Sequence, residues 1–136
     1  MRFLFSSITL FVILSLFISC DKLPPKCPNI QYDGNLTTLN REPYSGSCTT
    51  YFKTGELNSI QRYKLGKDHG KWVFFYKNGN LETEGNFNKG EKIGVWKYFH
   101  ENGKIHKKNT YNSSGKPISV WITYNEEGNI INKIQN

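Results

Sequence analysis

The histidines and two closely spaced glutamates are the side chains that could support catalysis or hold a metal ion, but their spacing favours neither. His69 falls in a predicted turn, and His100 and His106 flank one predicted hairpin with no third ligand beside them. Glu82 and Glu84 are two residues apart, so a regular strand places both on one solvated face, which is ordinary for charged side chains. The sequence therefore predicts a protein that is not an enzyme and needs no metal or other cofactor.

The first of the three cysteines follows a predicted export signal. Residues 3–18 carry no charge, follow Arg2 and end at Ser19-Cys20. The run is short for a membrane-spanning helix, which needs about 20 apolar residues. LFISC at 16–20 resembles the lipobox of bacterial lipoproteins, which implies a signal peptide over residues 1–19 and lipidation of Cys20. We therefore expect a membrane-anchored protein of the bacterial cell envelope; the alternative is an ordinary signal peptide, or an uncleaved anchor, with Cys20 incidental.

The other two cysteines form a candidate pair. If Cys20 is acylated, Cys27 and Cys48 remain in a chain that has left the reducing cytoplasm, which predicts a disulfide between them. Such a bond would close a loop of about 20 residues and stabilise the fold by about 3 kcal/mol. Two unrelated thiols, one of them buried in place of an aromatic residue, are the alternative.

The charge is basic but dispersed. The chain has 18 Lys and Arg against 11 Asp and Glu; without Arg2 the count is 17 minus 11, or +6. Lysines are scattered, with one pair at Lys107-Lys108, and no arginine-rich or aromatic-interleaved patch is present. This pattern argues against a nucleic-acid partner and favours a solvated surface that could attract anionic lipid or polysaccharide.

A repeat of about 24 residues organises residues 43–136. Trp72, Trp96 and Trp121 are 24 and then 25 residues apart, and Cys48 precedes Trp72 by 24. A glycine follows each of these four positions by seven residues: Gly55, Gly79, Gly103 and Gly128. An aliphatic residue comes two positions after each glycine: Leu57, Leu81, Ile105 and Ile130. Aromatic residues recur at two further places, as Tyr51, Phe75, Phe99 and Tyr124, and as Tyr63, Phe87 and Tyr111.

Turn residues within each unit predict a β-hairpin. YKNG and HENG separate runs of aromatic and aliphatic residues, and Asn-Gly can supply the positive φ angles of a tight hairpin turn. LGKDHG and NKGEKIG between units predict looser turns. The predicted strands lie near 47–53, 57–64, 71–77, 80–87, 95–100, 104–111, 119–125 and 129–135. The sequence thus predicts an all-β fold, an elongated antiparallel meander of about four stacked hairpins without a long helix after the signal.

The repeated aromatic residues predict the core, and the variable positions predict a surface. The expected repeat core consists of Trp72, Phe75, Phe87, Trp96, Phe99, Tyr111, Trp121 and Tyr124. Trp72 and Phe75 are an odd number apart, so either both faces carry aromatic rings or a bulge brings them together. Gly46, Gly70 and Gly94 either leave room for a neighbouring ring or break the strand. Tyr76 and His100 stand where the units differ, which makes them candidates for a binding surface.

Residues 20–42 are predicted to be a lipidated spacer. DKLPPKCPNI at 21–30 carries three prolines and no periodic pattern, which favours a stiff extended segment. An anchor, a spacer and a repeat domain would together hold a platform off a membrane.

The repeat phrase at 70–81 and 94–105 resembles the MORN-repeat variant, a bacterial relative of the membrane occupation and recognition nexus repeat. Residues 40–57 resemble the opening unit of bacterial chains of this type, many of them YwqK-like antitoxins. The resemblance covers about residues 43–136. It implies a binding protein: a membrane-anchored platform for a protein or a cell-surface glycan, or alternatively an antitoxin or immunity protein that neutralises a toxin by binding it. Lipid binding by the repeats themselves is a third, weaker hypothesis.

Overall fold

The protein is a sheet of consecutive antiparallel hairpins, as predicted. The structure, a computed structural model, describes residues 23–118 and 121–134; the predicted signal peptide and Cys20 lie outside these residues. The described residues form twelve strands and no helix, and so none that could cross a membrane. The strands are β1 (Gln31–Asp33), β2 (Leu36–Leu39), β3 (Glu42–Pro43), β4 (Gly46–Tyr51), β5 (Leu57–Lys64), β6 (Lys67–Asp68), β7 (Gly70–Phe75), β8 (Leu81–Asn88), β9 (Glu91–Phe99), β10 (Ile105–Tyr111), β11 (Trp121–Tyr124) and β12 (Ile130–Ile134).

The larger sheet contains four hairpin units in chain order. Its strands run β12-β11-β10-β9-β8-β7-β5-β4, with the short β6 paired to β5. We call β4–β5 unit 1, β7–β8 unit 2, β9–β10 unit 3 and β11–β12 unit 4. The eight predicted strands correspond to these eight; 119 and 120, at the start of the seventh predicted strand, and 135, at the end of the eighth, lie outside the described residues.

The predicted spacer over 20–42 is not an extended stalk where the structure describes it. Strands β1–β3 form a small antiparallel sheet, and the segment before them lies along the edge of β4. Thr49 N donates to Pro25 O, Cys27 N donates to Thr49 O, and Thr49 Oγ1 donates to Pro24 O. The predicted disulfide between Cys27 and Cys48 is confirmed and fixes this contact. The prolines serve at a sheet edge, where a missing N–H is tolerated.

The hairpin turns lie where they were predicted, but they are not the tightest turns of the sheet, because the first two turns between units are shorter. Within unit 2, Gly79 N donates to Tyr76 O and Tyr76 N to Asn80 O, which defines a three-residue loop with only Gly79 at positive φ (86°). Asn78 contributes through side-chain hydrogen bonds and not through a positive φ angle. Its Oδ1 accepts from Asn80 N, and its Nδ2 donates to Glu101 O of the next unit.

Two of the two-residue turns with two positive φ angles lie between units. Leu65 and Gly66 have φ of 51° and 75°, and Lys89 and Gly90 have φ of 52° and 93°. The flanking residues pair directly, Lys64 with Lys67 and Asn88 with Glu91. These are the angles of a type I′ turn, whose twist matches that of the strands.

Both faces of the sheet carry aromatic residues, which settles the question left open by the spacing of Trp72 and Phe75. Units 2 and 3 each have a β-bulge next to the hairpin loop. The extra, unpaired residue is Glu82 in β8 and His106 in β10, while the partner strands β7 and β9 stay regular at these positions. Trp72 and Phe74 therefore share one face with Trp96 and Tyr98, which we call the tryptophan face, while Phe75 and Phe99 lie on the opposite face.

The glycines before each tryptophan have a backbone role. Gly70 and Gly94 have φ of 71° and 65°, which disfavours other residues, and a Cβ at either would meet no ring. Among Gly46, Gly70 and Gly94, only Gly46 lies against an aromatic ring, that of Tyr44. The glycine that makes room for a tryptophan is Gly85, where a Cβ would overlap the Trp96 indole.

Candidate functional site

The tryptophan face has a connected aromatic floor. Ring centroids of Tyr63 and Trp72 are 5.3 Å apart, those of Trp72 and Phe87 4.9 Å, and those of Phe87 and Trp96 4.9 Å, all in edge-to-face arrangements. Trp72 and Trp96 are 7% and 3% exposed. Their Nε1 atoms donate to the backbone oxygens of Arg62 and Asn86, 24 residues apart. These hydrogen bonds fix the floor, because a buried indole N–H needs an acceptor.

A groove lies on this floor between units 2 and 3. Its volume is about 320 Å³. The lining residues are Trp72, Phe74, Glu82, Thr83, Phe87, Lys92, Trp96 and Tyr98. The two tryptophans are almost covered, so the half-buried Phe74, Phe87 and Tyr98 offer most of the aromatic surface.

Charged and hydrogen-bonding groups accompany the aromatic residues of the groove. Lys92 Nζ lies 4.3 Å from the centroid of the Trp96 ring and donates to Tyr98 Oη over 3.3 Å. An ammonium over an indole face is attracted by the ring quadrupole. Burial raises the pKa of Tyr98, so its hydroxyl keeps its proton at neutral pH. With the Glu82 carboxylate, the groove provides a cation, an anion and a hydroxyl over an apolar floor, a composition suited to binding.

Glu82 and Glu84 do not share a face, contrary to the expectation. The extra residue at Glu82 reverses the alternation of β8, so Glu82 lines the groove. Glu84 instead receives hydrogen bonds from Lys71 and Lys97, both at 2.9 Å. These hydrogen bonds lower the pKa of Glu84, and the one from Lys97 contributes most. The two carboxylates therefore do not form a catalytic pair.

The predicted binding-surface residues Tyr76 and His100 make contacts between units. Tyr76 Oη donates to Phe99 O over 2.8 Å, and His100 Nε2 lies 2.9 Å from Tyr124 O. Both side chains are half-buried. They occupy the same place one unit apart, so the structure assigns them a shared role in joining neighbours; participation in binding stays a prediction.

The two histidines of unit 3 lie together. The ring centroids of His100 and His106 are 4.5 Å apart. Within residues 23–118 and 121–134, no group of three His, Cys, Asp or Glu side chains is placed to hold a metal ion.

The remaining predicted core residues are half-buried. Tyr111 contacts Trp121 at 6.2 Å between centroids, which repeats the contact of Phe87 with Trp96 at longer range. Phe75, Phe99 and Tyr124 are the other members of this set, one in each of units 2, 3 and 4.

Sequence reasoning missed Phe74, Tyr98 and Lys92 as groove residues. Phe74 and Tyr98 stand two positions after a tryptophan, where unit 1 and unit 4 have Thr50 and Thr123. The period alone could therefore have shown that units 2 and 3 differ from the outer units at this place. Lys92 carried no signal, because its approach to Trp96 depends on the bulge at Gly94.

Comparisons with known proteins agree with the repeat. The MORN repeat variant family matches residues 68–89 and 92–113, the two central units. No curated protein is similar to the chain at a significant level. A chain in the crystal structure of the GtfA/B complex bound to UDP and GlcNAc resembles it with a TM-score of 0.34 and 12% identity, over 82% of this chain and 25% of that chain. This chain thus spans about a quarter of that one, and the likeness carries no argument.

Proposed function

We propose that this protein is a membrane-anchored lipoprotein of the bacterial cell envelope that binds a protein or a cell-surface glycan and catalyses no reaction. The groove on the tryptophan face carries the proposal. It combines half-buried Phe74 and Tyr98 with Lys92 and Glu82 on a floor held by backbone hydrogen bonds. Rigid aromatic surface with a few fixed polar groups is typical of recognition sites. The match to MORN repeats, which are generally associated with binding, supports the same conclusion.

The proposed anchor would hold the repeat domain close to the bilayer. Only residues 21–23 separate Cys20 from Pro24, where the chain joins the edge of β4. Fully extended, the four steps from Cys20 to Pro24 span about 14 Å. Unit 1 would therefore lie nearest the membrane and unit 4 farthest from it, with the groove in between.

The groove is tested by crosslinking in membranes. A photo-crosslinking residue in place of Tyr98 should capture a partner from the membrane fraction, and Glu82→Gln with Lys92→Gln should weaken that capture about tenfold or more. Lys108→Gln, on the opposite face, is the control and should leave capture unchanged. Equal capture by all variants would reject the groove as the binding site. If the captured partner is a toxin whose activity the protein blocks, the alternative of an antitoxin or immunity protein is established.

The anchor is tested separately. Cys20→Ser should release the protein from membranes or block its processing, and should abolish fatty-acid labelling. Wild-type protein that takes up no label and is recovered in the soluble fraction would contradict the lipoprotein assignment and leave the groove proposal standing.

A further inference from the structure

A second cavity lies at the other end of the strands, where the two type I′ turns between units come together. Its volume is about 360 Å³. It is lined by Lys64, Leu65, Lys67, His69, Asn88 and Lys89. A neighbouring groove of about 320 Å³ shares His69 and Asn88 with it. The proposed binding groove on the tryptophan face shares no lining residue with this cavity, and shares Phe87 with the neighbouring groove.

The cavity is lined by cations and by no acid. The lining lysines Lys64, Lys67 and Lys89 are exposed, and neither ion pair found among the described residues includes any of them. Asp68 follows Lys67 but is not part of the lining. Three unneutralised lysines around one cavity create a positive potential that attracts an anion.

Each of the two type I′ turns at the cavity has, at its first central position, a residue that disfavours a positive φ angle. Leu65 and Lys89 occupy the first central position with φ of 51° and 52°. Asn, Asp or Gly adopt such angles readily, whereas a bulky side chain there is an outlier. Strain of this kind is held where the surrounding structure determines it, and it concentrates at functional sites.

The repeat also departs from its own pattern at the cavity. A shift of 24 residues carries Lys64 to Asn88 and His69 to Ile93. The residue just before unit 2 is thus a histidine, where unit 3 has an aliphatic residue at the equivalent position. His69 Nδ1 is buried and has no hydrogen-bond partner among residues 23–118 and 121–134. The ring that lines the cavity therefore has one nitrogen whose hydrogen-bonding capacity is not met by the described residues.

We propose that this cavity binds a phosphate-type oxyanion, either a free phosphate ester or the headgroup of an anionic lipid. Lys64, Lys67 and Lys89 supply the charge, since lysine binds phosphate as a point charge. The His69 ring and the Asn88 side chain add hydrogen-bonding groups that a simple cluster of surface lysines lacks. The site is independent of the groove and of its partner.

Calorimetric titration tests the site with inorganic phosphate and glycerol phosphate, using the full chain in non-ionic detergent and chloride at matched ionic strength. Wild-type protein should bind both phosphates and not chloride. Lys64→Gln with Lys89→Gln should weaken binding about tenfold or more, because each lost charge-assisted bond is worth a factor of this order. His69→Ile, which introduces the residue of unit 3, should also weaken it. Lys108→Gln with Lys133→Gln removes the same charge elsewhere and should change affinity less than about twofold.

Vesicles distinguish the two sources of the oxyanion. Anchor-free Cys20→Ser protein is mixed with vesicles of phosphatidylglycerol or phosphatidylcholine. Binding to phosphatidylglycerol alone, lost with Lys64→Gln and Lys89→Gln, identifies a lipid headgroup; phosphate binding without vesicle binding identifies a soluble ester. No binding of either kind overturns the proposal, as does equal loss in the Lys108 and Lys133 control, which would show diffuse charge attraction. Unchanged thermal unfolding of each variant confirms that the fold is intact.

Discussion

Gly85 is the residue on which the packing of unit 3 most directly depends. Gly85 is buried in β8, where it pairs with Trp72 of β7. The Trp96 indole lies across its Cα. The bulge at Gly94 in β9 directs the indole there, so two glycines on neighbouring strands position one ring. Neither glycine is in the turn set that the period of the sequence identifies.

Gly85→Ala should therefore destabilise the fold by about 3 kcal/mol or more, because a Cβ there overlaps a ring that cannot move without losing its bond to Asn86 O. Urea unfolding measures the effect. Thr83→Ala, two residues away on the same face, is the control and should change stability by about 1 kcal/mol or less. A Gly85→Ala variant as stable as the control would show that the indole does not occupy this place.

His106 makes stability depend on pH. Burial lowers its pKa from the usual 6.5, and His100 and Lys107 add repulsion. Below pH 6.5 the unfolded chain binds a proton that the folded chain resists, so stability should fall as pH decreases. Urea midpoints at about pH 8 and about pH 5.5 test this, with the difference reduced in His106→Gln. An unchanged difference in that variant would assign the pH dependence to other groups.

At the scale of the hairpin, the asparagine of each Asn-Gly pair links neighbouring units. Asn78 Nδ2 donates to Glu101 O, and Asn102 Nδ2 donates to Glu126 O one unit further along. Unit 1 has Thr54 at this position and unit 4 has Glu127. The three-residue loops therefore form a row in which each central loop holds the next.

Asn78→Ala should lower stability by about 1 kcal/mol and speed amide hydrogen exchange in the loop that contains Glu101. Asn78→Asp separates the two roles of the side chain, because it keeps the Oδ1 acceptor for Asn80 N but loses the donor to Glu101 O. We expect Asp to preserve the loop of unit 2 and still loosen that of unit 3. Asn80 Nδ2 donates to the same Glu101 O over 2.7 Å, so equal protection of both loops in Asn78→Ala would assign the link between the units to Asn80.

The period predicted what each unit repeats and failed where a unit depends on its neighbour or stands outside the repeat. Trp72, Trp96 and the turn glycines recur, so their spacing located eight strands. The side-chain bond of Asn78 reaches the next unit, and no dipeptide preference encodes it. The bulge at Glu82 adds one residue to one strand and exchanges faces without changing the repeat length. Strands β1–β3 do not recur, so periodicity had nothing to detect there.

For the whole molecule, stability should decline from the central units toward unit 4. Trp96 is 3% exposed and its ring centroid lies 4.9 Å from that of Phe87, whereas Trp121 is half-buried and its ring centroid lies 6.2 Å from that of Tyr111. Trp96→Ala should cost about 3 to 5 kcal/mol, and Trp121→Ala about half of that or less. Urea unfolding of the two variants compares them; equal losses would mean that the sheet has no stability gradient between these units.

The disulfide couples the non-repeating N-terminal segment to the free edge of the repeat sheet. Cys27 and Cys48 are 21 residues apart, so reduction should cost about 3 kcal/mol of stability through the freed loop. The amide of Thr49, which donates to Pro25 O, should then exchange faster, because the segment that covers β4 is no longer tethered. The double variant Cys27→Ser with Cys48→Ser should have the stability and the Thr49 exchange rate of the reduced protein, and adding reductant should change neither. Continued protection of Thr49 after reduction would mean that hydrogen bonds to Pro24, Pro25 and Cys27 hold the edge without the disulfide. The covalent bond would then oppose only complete unfolding.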